Sequence, residues 1–137
     1  MDPHPHSPPK LILAIDDEPE ILDIIKACLE MEGFQVLTAL GAKAGLKLYE
    51  TRGSEIGVVL LDYLMPDMTG DLVFECLRQK NPDTRVILLT GWGAFMKQDG
   101  DLPAQVDGVL SKPPRARELR ETLKRLAPKS RSRTLAA

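Results

Sequence analysis

Four short apolar runs stand out along the chain, and each ends in a polar group. Leu11-Ile12-Leu13-Ala14-Ile15 runs into Asp16-Asp17, Ile56-Gly57-Val58-Val59-Leu60-Leu61 into Asp62, Val86-Ile87-Leu88-Leu89 into Thr90, and Val109-Leu110 into Ser111-Lys112. Runs this short and continuous predict strands buried on both faces, as in a parallel sheet. Phe34 to Ala39 predicts one more strand, second in chain order, and residues 107 to 111 make the fifth.

The segments between the runs carry helical spacing. Pro19 suits a first helical turn, and Ile21, Ile24, Ile25, Cys28 and Leu29 form one apolar stripe that stops before Gly33. Ala42, Leu46 and Tyr49 mark a second helix. Leu72, Val73, Cys76 and Leu77 mark a third, which ends near Asn81-Pro82. After Pro113-Pro114, Ala116, Leu119, Leu123 and Leu126 line one face of a last helix. Parallel strands require crossover connections, so strands that alternate with helices imply an α/β fold with a parallel sheet covered on both faces. In such a sheet the carboxyl ends of the strands share one edge, where ligands bind. Three carboxylates, a hydroxyl and an ammonium would meet there.

Composition narrows the class. With 137 residues, 43% hydrophobic and 28% charged, the chain has the make-up of one ordinary globule, able to bury roughly 68% of its unfolded surface. No apolar stretch reaches the ~20 residues that span a bilayer, and the opening Met1 to Pro9 lacks the apolar core of a secretory signal, so a cytoplasmic location is expected. Cys28 and Cys76 fall within amphipathic helices without metal-ligand spacing and read as small core residues. His4 and His6 sit in a proline-rich arm, residues 1–9, expected to be disordered. Residues 10–127 form the expected domain, and residues 128–137 a basic, flexible tail. Nine Lys or Arg against two Glu lie between Lys112 and Ala137. A solvated helix face explains that excess better than nucleic-acid binding does.

Taken in order, Asp16-Asp17-Glu18-Pro19, Asp62 with Met65-Pro66-Asp67-Met68-Thr69-Gly70, Thr90-Gly91 and Lys112-Pro113 resemble the receiver domain of two-component response regulators. Four separated motifs in sequence make the match specific, and it covers about residues 10 to 127. The resemblance implies a doubly wound, flavodoxin-like five-stranded sheet of order 2-1-3-4-5 with helices on both faces. It also implies a phosphoacceptor rather than an enzyme with a separate substrate: Asp62 takes a phosphoryl group from a histidine kinase or histidine phosphotransferase and switches a face that binds an output protein. Clustered carboxylates repel unless a cation balances them, and oxygen donors suit Mg²⁺. Asp17 and Asp62 are the expected direct ligands, with Asp16 direct or through water and the carbonyl of Leu64 added by resemblance. Lys112 would offset charge on the transferring oxygens, and Thr90 would donate to the product phosphoryl group.

The bland readings are weaker in combination than singly. Asp16 and Asp17 alone fit a helix cap, Lys112 alone a solvated lysine and Thr90 alone a strand end. A phosphatase built on the same carboxylates would need a cap insertion, for which the chain has no room. A vestigial receiver that binds partners without phosphorylation is the remaining alternative. One departure stands out: the family usually has an aromatic residue where this chain has Val109, so the aromatic switch is in question and Trp92 is the nearest large aromatic after Thr90. Three further expectations follow. The Lys112-Pro113 bond is expected to be cis, as in the family and at the modest cost that X-Pro bonds allow. Cys28 and Cys76 are expected on opposite sheet faces. Residues 93–104, with Gly100 and Pro103, are expected to form only a short or distorted helix.

Overall fold

The computed structural model describes residues 11–91 and 106–136, and of residues 127–136 the backbone alone. Trp92, residues 93–104 and the arm at residues 1–9, each the subject of an expectation above, lie outside them. Five parallel strands, β1 (Leu11–Asp16), β2 (Gln35–Leu40), β3 (Ile56–Asp62), β4 (Arg85–Thr90) and β5 (Gly108–Ser111), form one sheet in the order β2-β1-β3-β4-β5. The helices are α1 (Pro19–Met31), α2 (Ala42–Arg52), α3 (Gly70–Lys80) and α4 (Ala116–Ala136), and a 3-10 turn spans Gly53–Glu55. The backbone of α4 carries on past the boundary expected at residue 127. None of the helices among the described residues is long and apolar enough to cross a membrane.

Alternation along the strands divides the core in two. Leu11, Leu13, Ile15, Val59, Leu61, Val86 and Leu88 face α2 and α3, where Ala42, Tyr49, Val73, Phe74 and Leu77 close the layer. Ile12, Ala14, Val58, Leu60, Ile87 and Leu89 face α1 and α4, against Leu22, Ile25, Leu29, Leu119, Leu123 and Leu126. Each side chain that leaves water completely in these layers contributes about 1.5–3 kcal/mol. The helix stripes differ in detail from their sequence expectation. Leu22 replaces Ile24 on the buried face of α1, and Ile24 and Leu72 are each about half exposed. Ala116 is exposed, and Cys28 and Cys76 are half-buried rather than core. The two cysteines belong to helices on opposite faces of the sheet, as expected, and both are free.

Local signals set the element ends. Gly33, at φ 95°, closes α1: its amide donates to the Glu30 carbonyl and that of Phe34 to the Leu29 carbonyl, the paired pattern of a left-handed helix stop. At the amino end of the sheet, Asp107 holds β5 to β4. It accepts the Val86 amide at 2.8 Å and returns its own amide to the Val86 carbonyl at 2.8 Å, with Arg78 and Arg85 beside its carboxylate. The buried hydroxyls of Tyr49 and Thr84 bond to each other there.

At the other end, Gly70 lets α3 start hard against β3. A Cβ on it would lie 2.7 Å from Tyr63 Cα and 3.1 Å from the Asp62 carbonyl oxygen, both backbone atoms that cannot swing aside. Gly70→Ala should therefore destabilise the protein by roughly 1–3 kcal/mol, more than the helical preference of Ala returns at a first-turn position. A lower urea midpoint with an unchanged slope is the expected result; an unchanged midpoint would show that the turn has room.

Candidate functional site

A chain that passes from β1 outward to β2 and then back to β3 reverses direction between β1 and β3. That switch point leaves a crevice outside the carboxyl ends of the two strands. Asp16 is the last residue of β1 and Asp62 the last of β3, so the crevice receives a carboxylate from each side. Thr90 ends β4 beside Asp62, and its carbonyl accepts the amide of Lys112, which directly follows β5. An open cleft of about 390 Å³ is lined by Asp17, Glu18, Ile21, Asp62, Leu64, Thr90, Gly91, Lys112 and Pro113. Every residue singled out from the sequence for chemistry is thus at this edge, and the Lys112-Pro113 bond is cis, as expected.

The lysine is the hub of the acids. Its Nζ stands 3.2 Å from Asp16 Oδ2, 3.3 Å from Asp62 Oδ2 and 3.4 Å from Glu18 Oε1, and donates to Asp16 Oδ1 at 3.3 Å. Asp16 Oδ1 also accepts the Glu18 amide at 2.9 Å, and Asp62 Oδ1 the Leu64 amide at 3.4 Å. Glu18 is the one acid in this set to which the sequence attached no role. It stands in the quoted Asp-Asp-Glu-Pro motif, but its meeting with Lys112 is set by the reach of a loop far along the chain.

One ammonium does not balance these charges. Burial pushes the Asp62 carboxyl up to about 7, the charge of Asp16 adds to the rise, and Lys112 pulls against it. Asp16 is raised as well, burial outweighing the Glu18 amide and Lys112. Lys112 holds its proton more tightly than usual, because Asp62 and Asp16 together overcome a burial that opposes its charge. The buried Oδ2 atoms of Asp16 and Asp62 share the one Lys112 ammonium and have no well-aligned hydrogen bond besides it.

Those observations define what the site could hold. Asp16, Asp17 and Asp62 each offer a carboxylate oxygen within 4.8 Å of the others. Buried oxygens that share a single ammonium, an excess of negative charge and an all-oxygen donor set fit a hard divalent cation such as Mg²⁺, and not a metal that prefers sulfur or nitrogen. Behind the site, Val109 packs against the α2–α3 layer of the core and is half-buried, so an aliphatic side chain fills the place of the family's aromatic.

The comparisons with known proteins agree with this geometry. Residues 12–124 match the model of the response regulator receiver domain. The transcriptional regulatory protein CpxR of Escherichia coli K12 is 37% identical over 108 residues, 79% of this chain and 45% of its own length. The chain spans less than two thirds of the length of the curated relatives it matches. A response regulator receiver domain protein from Clostridium thermocellum superposes with a TM-score of 0.80 at 31% identity, covering 88% of this chain and 96% of that one. The response regulator TrrA of Thermotoga maritima, solved in complex with Mg²⁺ and BeF, superposes with a TM-score of 0.74 at 32% identity, covering 85% of this chain and 98% of that one. With the family model spanning most of the chain and the acids, the threonine and the lysine gathered at one sheet edge, the chain belongs to the response regulator receiver domain family.

Proposed function

We propose that this chain is a phosphoacceptor in a two-component relay, with Asp62 as the residue that takes the phosphoryl group from a histidine kinase or histidine phosphotransferase. The observation that carries the reading is the place of Asp62: buried at the end of the central strand, yet opening into the cleft beside Asp17, Thr90 and Lys112. Asp16, Asp17 and Asp62, with the carbonyl of Leu64, would hold Mg²⁺. When bound, that ion supplies positive charge to the acids and to the oxygens of the incoming phosphoryl group.

Transfer requires little of the protein beyond position and charge. A carboxylate oxygen of Asp62 forms the new P–O bond as the P–N bond of the phosphohistidine breaks, and the electron pair leaves with the imidazole. Lys112, already between Asp16 and Asp62, draws the transferred oxygens toward its ammonium. Thr90 donates its hydroxyl to one of them. Burial of Asp62 and Thr90 keeps these groups in fixed orientations, so little reorganisation accompanies the step. The phosphorylated face then engages an output protein, the usual division of labour between a receiver and the domain or protein it controls.

Two outcomes test the reading. Incubation with a small phosphodonor and Mg²⁺ should add one phosphoryl group to the intact protein, and Asp62→Asn should abolish the mass increase. Labelling of the variant at the wild-type level would remove Asp62 from the role. The second outcome concerns the metal-free protein. A carboxyl whose pKa rises from 3.8 to about 7 on folding stabilises the fold while protonated, and that contribution is lost as pH rises through the folded value. In EDTA the wild type should accordingly lose stability relative to Asp62→Asn from about pH 4 to pH 7, leaving the variant more stable by at least about 1 kcal/mol at higher pH. Parallel urea midpoints across that range would show that the Asp62 charge costs the fold nothing.

A further inference from the structure

The loop between β3 and α3, residues 63–69, carries the backbone of Leu64, and it is fastened to the rest of the molecule at identifiable points. Its first residue is held to the sheet, the Tyr63 amide donating to the Leu89 carbonyl at 3.0 Å. Its last turn closes on itself, the Gly70 amide donating to the Tyr63 carbonyl at 2.6 Å. In between, Met65 is buried in the core layer with α2 and α3. Tyr63 and Met68 pack against the same layer, and a polar contact to a separate helix comes from the exposed Asp67.

Asp67 reaches a different helix. Its Oδ1 accepts the amide of Ala42 at 3.3 Å and its Oδ2 the amide of Lys43 at 3.1 Å. These are the first two residues of α2. The residue before them, Gly41, has no side chain with which to cap the helix, and it adopts φ 100°, where a side chain would be strained. Gly41 also has its amide on the carbonyl of Asp16, itself one of the buried acids, at 2.8 Å, and the Asp67 carboxylate lies 3.5 Å from where a Cβ of Gly41 would be. The cap that the sequence omits at the start of α2 is therefore supplied by a carboxylate from the metal-side loop. The two amides hold that carboxylate below the usual range, the Lys43 amide most strongly, as a charge at a helix amino terminus should be.

We infer that Asp67 is a positioning residue for the cation site: by capping α2 it fixes the loop that holds the Leu64 backbone, whose amide bonds Asp62, beside the acids, tying loop and β1 exit to a common anchor. The inference rests on the proposed metal-binding reading of the site. Asp67 is neither one of the clustered acids nor part of the cleft lining. Without that cap the loop keeps the packing of Met65 and Met68 but loses its polar anchor, and each position in which the Leu64 backbone is displaced from Asp62 lowers the population competent to bind. Loss of one cap is expected to weaken Mg²⁺ binding by about five-fold, the factor that corresponds to a typical capping interaction.

The test is isothermal titration of Mg²⁺ into the wild type, Asp67→Ala, Asp67→Asn and Asp17→Asn, at low and at high salt, with the shift in melting temperature on adding Mg²⁺ as a second readout. Asn keeps one capping oxygen and should fold, so it guards against an Ala variant that does not. The expected order of affinity is wild type, then Asn, then Ala, preserved at high salt where an exposed charge is screened, with the Mg²⁺-induced melting shift shrinking in the same order. Mg²⁺ binding equally tight in Ala and wild type would overturn the inference. So would losses that are equal in Asn and Ala and vanish at high salt, since a charge effect alone gives that result. Failure of the underlying reading looks different: the wild type would not bind Mg²⁺, or Asp17→Asn would bind it unchanged.

Discussion

Two carboxylates buried at the ends of adjacent strands repel each other and lose their water, and one ammonium offsets only part of that cost. The rest of the molecule is arranged so that this arrangement survives. Asp16 and Asp62 cannot separate, because β1 and β3 are central neighbours in a sheet whose two faces are both packed. They cannot turn outward, because the residues before them alternate into two apolar layers and fix which way each end points. The fold thus uses a large and distributed apolar gain to hold a small and concentrated electrostatic loss, the relation expected where a site is assembled for binding and not for stability.

Much of this was legible in the chain. The apolar runs gave the strands to within about a residue at their ends, because a strand buried on both faces has nothing to hide in its pattern. Placement of Asp62, Thr90 and Lys112 followed from the same runs, since the last residue of a parallel strand is bound to emerge at the common edge. Helix faces were read less well. Ile24 and Leu72 are apolar and correctly spaced, yet Leu22 and Phe74 take the buried positions, because which residues of an amphipathic helix face inward depends on the angle at which it lies on the sheet. Long-range contacts that do not run through the strand ends left no such trace. Nothing near Glu18 announces Lys112, and nothing near Gly41 announces that its helix is capped by a residue beyond the third strand.

The loop after β3 shows how such contacts divide labour. Gly70 permits a close approach, Met65 contributes packing and Asp67 contributes a polar anchor. The first two are sensitive to volume and the last to charge and geometry. Substitutions in this one short segment therefore act through unrelated physics, and neighbours in sequence need not be neighbours in effect.

The strand that brings the lysine is the shortest of the five and has β4 as its one partner. Its order in the chain has a consequence for synthesis. The acids of β1 and β3 leave the ribosome well before Lys112 does, so the crevice can close around uncompensated carboxylates while its counter-charge is still being made. Until the last strand docks, Asp16 and Asp62 do not have the Lys112 ammonium beside them, so in that interval their charges are balanced from outside the chain or by protonation.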